Sequence, residues 1–87
     1  MFSRRVGDFI FDAPSKHKFK KYDVYDLNNG YITSFGDTRY QQYRDKIGFY
    51  RDLDHMDLTR RANYQSRHQH DNLDRISAGY FSWNYLW

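Results

Sequence analysis

Phe19-Lys20-Lys21-Tyr22-Asp23-Val24-Tyr25-Asp26, then Leu27-Asn28-Asn29-Gly30, then Tyr31-Ile32-Thr33-Ser34-Phe35: the reading of this stretch decides the fold. The first segment alternates, with Lys20, Tyr22 and Val24 on one face and Lys21, Asp23 and Tyr25 on the other, which predicts a strand. Asn and Gly tolerate positive φ, so Leu27–Gly30 reads as a hairpin turn. The third segment is rich in β-branched and aromatic residues and reads as the returning strand, ended by Gly36.

Downstream of the hairpin the texture turns helical. Tyr40, Tyr43, Ile47 and Tyr50 recur at spacings of three and four, the stripe of an amphipathic helix, although Gly48 interrupts it. Asp57 is placed to cap a second helix running to about His68, with Leu58, Arg61, Tyr64, Gln65 and His68 along one side. Ser77 is placed to cap a last segment over residues 78–87. Upstream, residues 1–17 read as an N-terminal arm: Asp8–Asp12 has the makings of a short strand, and Ala13-Pro14-Ser15 breaks it. The expected architecture is therefore one small α+β domain over residues 18–87, a hairpin followed by two or three helical segments, preceded by an arm at 1–17.

Composition bounds the function. Eighty-seven residues make one domain at most, and a chain this short buries only about 60% of the surface that its unfolded form exposes. Aromatic residues are 21% of the chain, so burial is carried by rings. With no cysteine, disulfides and thiolate metal sites are excluded. A small fold without such staples gains stability from a partner. No stretch approaches the apolar length of a membrane span, and the bases near the start have no apolar run after them, so no signal peptide is expected. The expected setting is a reducing interior, or a particle assembled there.

Every acidic residue is Asp, and charge is distributed unevenly. Residues 1–22 hold six bases against two Asp, residues 23–58 four against seven, and residues 59–87 four against two. Two basic ends thus flank an acidic middle, within a net charge of +3. That balance permits contact with nucleic acid and equally with acidic protein surfaces.

Two constellations stand out. Five of the last eight residues are aromatic, Tyr80, Phe81, Trp83, Tyr85 and Trp87. They either fold back to complete a thin core or anchor a partner, since Trp and Tyr lead interface hot spots. Arg60, Arg61 and Arg67, interleaved with Asn63 and Tyr64, suit phosphate contact and base stacking, but Asp54, Asp57 and Asp71 are near enough in sequence to pair with them. The expected partner-binding residues are these five rings and three arginines. No nucleophile elbow, catalytic cysteine or Gly-rich phosphate loop is present, so an enzyme is not expected. His55, His68 and His70 with an aspartate lack any standard zinc spacing, and the acidic run Asp52–Asp57 lacks the Gly and Glu of a calcium loop, so neither a metal nor another cofactor is expected.

Finally, His55-x-Asp57-x-x-Arg60-Arg61-x-x-Tyr64-x-x-Arg67-His68 and Ser77-Ala78-Gly79-x-x-Ser82-x-x-x-Leu86-Trp87, with Phe35-Gly36 upstream, resemble a family of small uncharacterised proteins encoded by large nucleocytoplasmic DNA viruses, including algal chloroviruses and mimivirus relatives. The resemblance covers about residues 35–87. It departs at Arg51-Asp52-Leu53, where family members often read Asp-Tyr-Thr. It implies a setting, not an activity. The expectation that follows is a virion-associated structural protein, a minor capsid component bridging larger capsid proteins; the alternative is a basic nucleic-acid-binding protein for genome packaging or regulation.

Overall fold

A computed structural model describes residues 1–73 and 76–87. Four strands, β1 (Phe2–Val6), β2 (Phe9–Ala13), β3 (Tyr22–Asp26) and β4 (Tyr31–Phe35), form an antiparallel sheet in sequence order. Two helices follow, α1 (Leu58–Arg67) and α2 (Ala78–Tyr85). The chain is thus a small α+β domain, and none of the helices among the described residues is long and apolar enough to cross a membrane.

The hairpin at β3–β4 forms as its sequence dictates. The Asp26 carboxylate accepts from the backbone of Asn28 and Gly30, both at 2.8 Å, and Asn29 takes φ 65°. Only the start differs from expectation. The strand begins at Tyr22: Phe19 turns to φ 65°, and residues 19–21 leave regular strand geometry while Lys21 still donates to the Phe35 carbonyl and Phe19 accepts from the Thr38 amide.

Residues 1–17 do not form an arm. Val6 pairs with Phe9 across a tight turn, and Phe11 pairs with Arg4 on one side and Val24 on the other. The physical reason is Phe11, whose ring lies within 6.3 Å of Tyr22, Phe35, Phe81 and Tyr85. Burying a ring of this size contributes roughly 1.5–3 kcal/mol, which fastens β2, and β1 with it, into the sheet. β2 ends at Ala13, before Pro14.

One sheet face carries Phe11, Ala13, Tyr22, Val24 and Phe35, and packs with Ile47, Phe81 and Leu86 into a fully buried core. The opposite face carries a polar row in which Ser3 donates to Asp12, and Ser15 and Ser34 donate to Asp23.

The tyrosine stripe at residues 40–50 is not a helix. Asp45, buried, offers its backbone neighbours a different partner. Its carboxylate accepts from the amides of Ile47, Gly48 and Tyr50 at 2.8–3.0 Å, and from the Tyr22 hydroxyl. Side-chain acceptors of this kind compete directly with the helical ladder. Beside it, the buried Lys21 ammonium donates to Gln42 Oε1 and the Tyr40 carbonyl, and Gln42 Nε2 donates to Asp54 at 2.6 Å. A polar network replaces the missing helix as the organiser of residues 40–54.

Candidate functional site

α1 starts where Asp57 accepts from the amides of Thr59 and Arg60 at 2.9 and 3.2 Å. None of its residues is fully buried. Instead it is fastened by side chains on the face predicted from sequence. Arg61 Nε donates to the Trp87 backbone oxygen at 2.9 Å and its guanidinium sits 4.8 Å over the Tyr43 ring. The Tyr64 hydroxyl donates to Ser82 at 3.1 Å, and the Tyr64 ring stacks on His68 and on Trp87.

α2 is equally set by its motif residues. Ser77 accepts from the Tyr80 amide at 3.1 Å. At Gly79 a Cβ would lie 2.8 Å from the Asp71 carboxyl carbon, so a glycine is what lets the two segments close. Thus Asp57, Arg61, Tyr64, Ser77 and Gly79 hold the second half of the molecule together.

The aromatic tail folds back. Phe81 and Leu86 are fully buried, Tyr85 lies 4.9 Å from Phe11, and Tyr80 packs edge-on to Phe81. Backbone bonds from Arg44 to Leu86 and from Lys46 to Tyr85 tie the end down. Trp83 and Trp87 are half-buried, with ring centroids 6.4 and 4.2 Å from that of Tyr64. The five rings named from sequence therefore divide: Phe81 is core, Tyr80, Trp83, Tyr85 and Trp87 are half-buried, and Trp87 lines the groove between α1 and α2.

Between α1, α2 and the loop after β4 lies a groove of about 580 Å³. Its cations come from both basic ends of the chain: Lys20 and Lys21 from before β3, Arg60 and Arg67 from α1. Tyr40, Tyr64 and Trp87 supply ring surface. Burial pushes the Lys21 amine down to about 8, with Asp45 and Asp37 opposing that shift. Arg60 and Arg67 are exposed; Arg60 reaches Gln41 Oε1 at 2.9 Å.

The carboxylates near α1 are engaged elsewhere. Asp54 holds Gln42 and the Asp45 amide, Asp57 caps α1, and Asp71 binds His68 Nδ1 at 2.9 Å. Among the described residues Arg39 pairs with Asp37, and Lys20, Arg60 and Arg67 form no ion pair, although Asp37 also lines the groove and the Lys20 charge acts on its carboxyl. Arg61, by contrast, is spent on Trp87 and Tyr43.

The groove continues onto an exposed lip that sequence reasoning does not single out. Phe19 and Tyr40 project there, with the Arg39 guanidinium 4.3 Å from one ring centroid and 5.7 Å from the other. Asp37 grips Arg39 through two hydrogen bonds, and those bonds hold the Asp37 carboxyl down at about 2. The signal available in the sequence is the run Lys16-His17-Lys18-Phe19-Lys20-Lys21, whose bases and ring lie together before the hairpin.

No three His or Asp side chains come together as metal ligands among the described residues. His55 Nδ1 accepts from the Asp57 amide, its ring lies against Trp87, and burial lowers its pKa, with Arg60 adding to the effect. His68 is committed to Asp71 and Tyr64, and His70 is exposed.

Comparison with protein-family models, with curated proteins and with solved structures finds no match to this chain.

Proposed function

We propose that this protein binds nucleic acid, in a packaging or regulatory role, within the large-DNA-virus setting that its motifs resemble, and that it acts by contact rather than by chemistry. The observation that carries the reading is the convergence of Lys20, Arg60 and Arg67 on one groove, where the carboxylate among the lining residues, Asp37, is ion-paired to Arg39. Three cations set around ring surface suit a phosphate backbone. The test is fluorescence anisotropy of the full chain with labelled oligonucleotides across a salt series. Affinity falls steeply with salt, and replacing Lys20, Arg60 and Arg67 together by Ala flattens the log–log slope by roughly 0.7–0.9 for each phosphate no longer neutralised. Absence of binding at low salt removes the reading.

A second reading, a minor capsid component contacting larger capsid proteins, is favoured by the large apolar side chains of Leu58, Leu73 and Ile76, all exposed. Singly scattered apolar residues are ordinary on protein surfaces, so this observation weighs less than the groove. Mass spectrometry of virus particles, intact and stripped of genome, separates the two. Retention on emptied shells at a fixed ratio to the major capsid protein supports the capsid component, and departure with the genome supports nucleic acid.

A further inference from the structure

The lip beside the groove carries a feature that the cations alone do not explain. Phe19 sits at φ 65°, in the left-handed region that bulky residues avoid, yet the residue is 43% exposed, with the Arg39 guanidinium and the Lys18 ammonium over its ring. Backbone bonds hold it so: the Thr38 amide donates to the Phe19 carbonyl at 2.9 Å, and the Lys20 amide to His17 at 3.1 Å. Tyr40, 64% exposed, stands on the other side of Arg39. Arg39 is immobilised by Asp37, while Lys18 Nζ, 4.9 Å from the Phe19 centroid, has no other side-chain partner among the described residues. Residues held in sparsely populated backbone regions cluster at functional sites, which makes a half-exposed ring at the edge of a basic groove a place for ligand contact.

We infer that Phe19 and Tyr40 are stacking platforms for unpaired bases, so that the site takes single-stranded nucleic acid, its backbone tracked by Lys18, Lys20, Arg60 and Arg67. This rests on the nucleic-acid reading above and narrows it. In a duplex the bases are already stacked on one another and offer no face to a ring on a protein surface. In a single strand every base has a face to give, whatever its identity. The groove beside them, of about 580 Å³, has room for one or two nucleotides of such a strand.

The experiment compares the full chain with a labelled single strand of about 15 nucleotides and with the duplex of the same sequence, at one low salt concentration. The wild type binds the single strand at least about tenfold tighter, and Phe19→Gly weakens that binding by about tenfold, the loss of one stacked base. Glycine suits positive φ, so the Phe19→Gly protein keeps its thermal midpoint, and Phe19→Trp retains the affinity. Tyr40→Ala, at an exposed position, gives an independent loss of similar size. Equal affinity for strand and duplex, or an unaltered Phe19→Gly, overturns the stacking inference and leaves the nucleic-acid reading standing. No binding to either overturns both. Competition by poly-aspartate as effective as that by unlabelled strand also overturns the inference, in favour of an acidic protein partner.

Discussion

The Tyr64 ring lies flat on the Trp87 indole, with centroids 4.2 Å apart and planes 4° from parallel. Because no residue of α1 is fully buried, the helix is held by this stack together with the Arg61 bond to the Trp87 backbone oxygen, the Arg61 contact with Tyr43 and the Tyr64 bond to Ser82.

Trp87→Ala therefore loosens α1 without dissolving the sheet, since alanine keeps the backbone oxygen that Arg61 binds but offers Tyr64 no ring. The expected destabilisation is about 3 kcal/mol, at the low end for deletion of a large ring because Trp87 is only half-buried. Hydrogen exchange checks it. Amides of residues 61–68 lose protection in the variant, while those of β2 and β3 keep theirs. Uniform loss across both regions would mean that the stack is part of the global core.

Asp45→Asn tests the network that replaces a helix at residues 40–50. The carboxylate accepts four hydrogen bonds from Ile47, Gly48, Tyr50 and Tyr22, and an amide has one oxygen to offer. Leaving buried donors unpaired costs about 1–3 kcal/mol each, so a loss of roughly 3 kcal/mol is expected by urea denaturation. A change under about 1 kcal/mol would show that water takes over the role.

Gly36→Ala probes the closest approach at the end of β4. Gly36 has φ 78°, and a Cβ there would lie 2.9 Å from both Cβ and Cδ of the buried Lys21. Backbone strain and the clash together predict a loss of about 2–3 kcal/mol. In a domain of this size, that lowers the thermal midpoint by at least about 8 °C.

Stability should also rise with pH in one alkaline window. The folded chain holds the Lys21 amine at about 8, against 10.5 ordinarily, chiefly through burial. A depressed amine disfavours the folded state wherever the unfolded chain is charged. Its favourable contribution is therefore complete above the unfolded value and lost as pH falls through the folded one. Between about pH 8 and 10 the chemical-denaturation midpoint should climb, before tyrosines such as Tyr50 and Tyr64, raised by burial, reverse the trend. Lys21→Met should abolish the climb; an unchanged slope would assign it to another group.

The hairpin and both helix caps are legible in the sequence because they rest on local rules. Asn29-Gly30 turns, and Asp57 and Ser77 cap, whatever surrounds them. The first seventeen residues read wrongly as an arm because the attachment of β2 depends on rings far along the chain, Phe81 and Tyr85 above all. The tyrosine stripe reads wrongly as a helix because periodicity cannot register a buried carboxylate that captures the amides beside it. At the site, Arg60 and Arg67 are visible as a basic run. Phe19 is not, because positive φ is anticipated for Gly and Asn, never for phenylalanine. Nor does sequence spacing reveal that Lys20 and Arg67 share one groove.

That shared groove has walls drawn from the two halves of the chain. An occupant bridging Lys20 to Arg60 and Arg67 would act as a noncovalent clasp, resisting any opening that parts α1 from the sheet. At about a hundredfold excess over its dissociation constant it would add about 2.7 kcal/mol, a large fraction of what a domain this small can hold. The protein's lifetime in a cell would then follow the abundance of what it carries, and molecules left empty would be the first to be cleared.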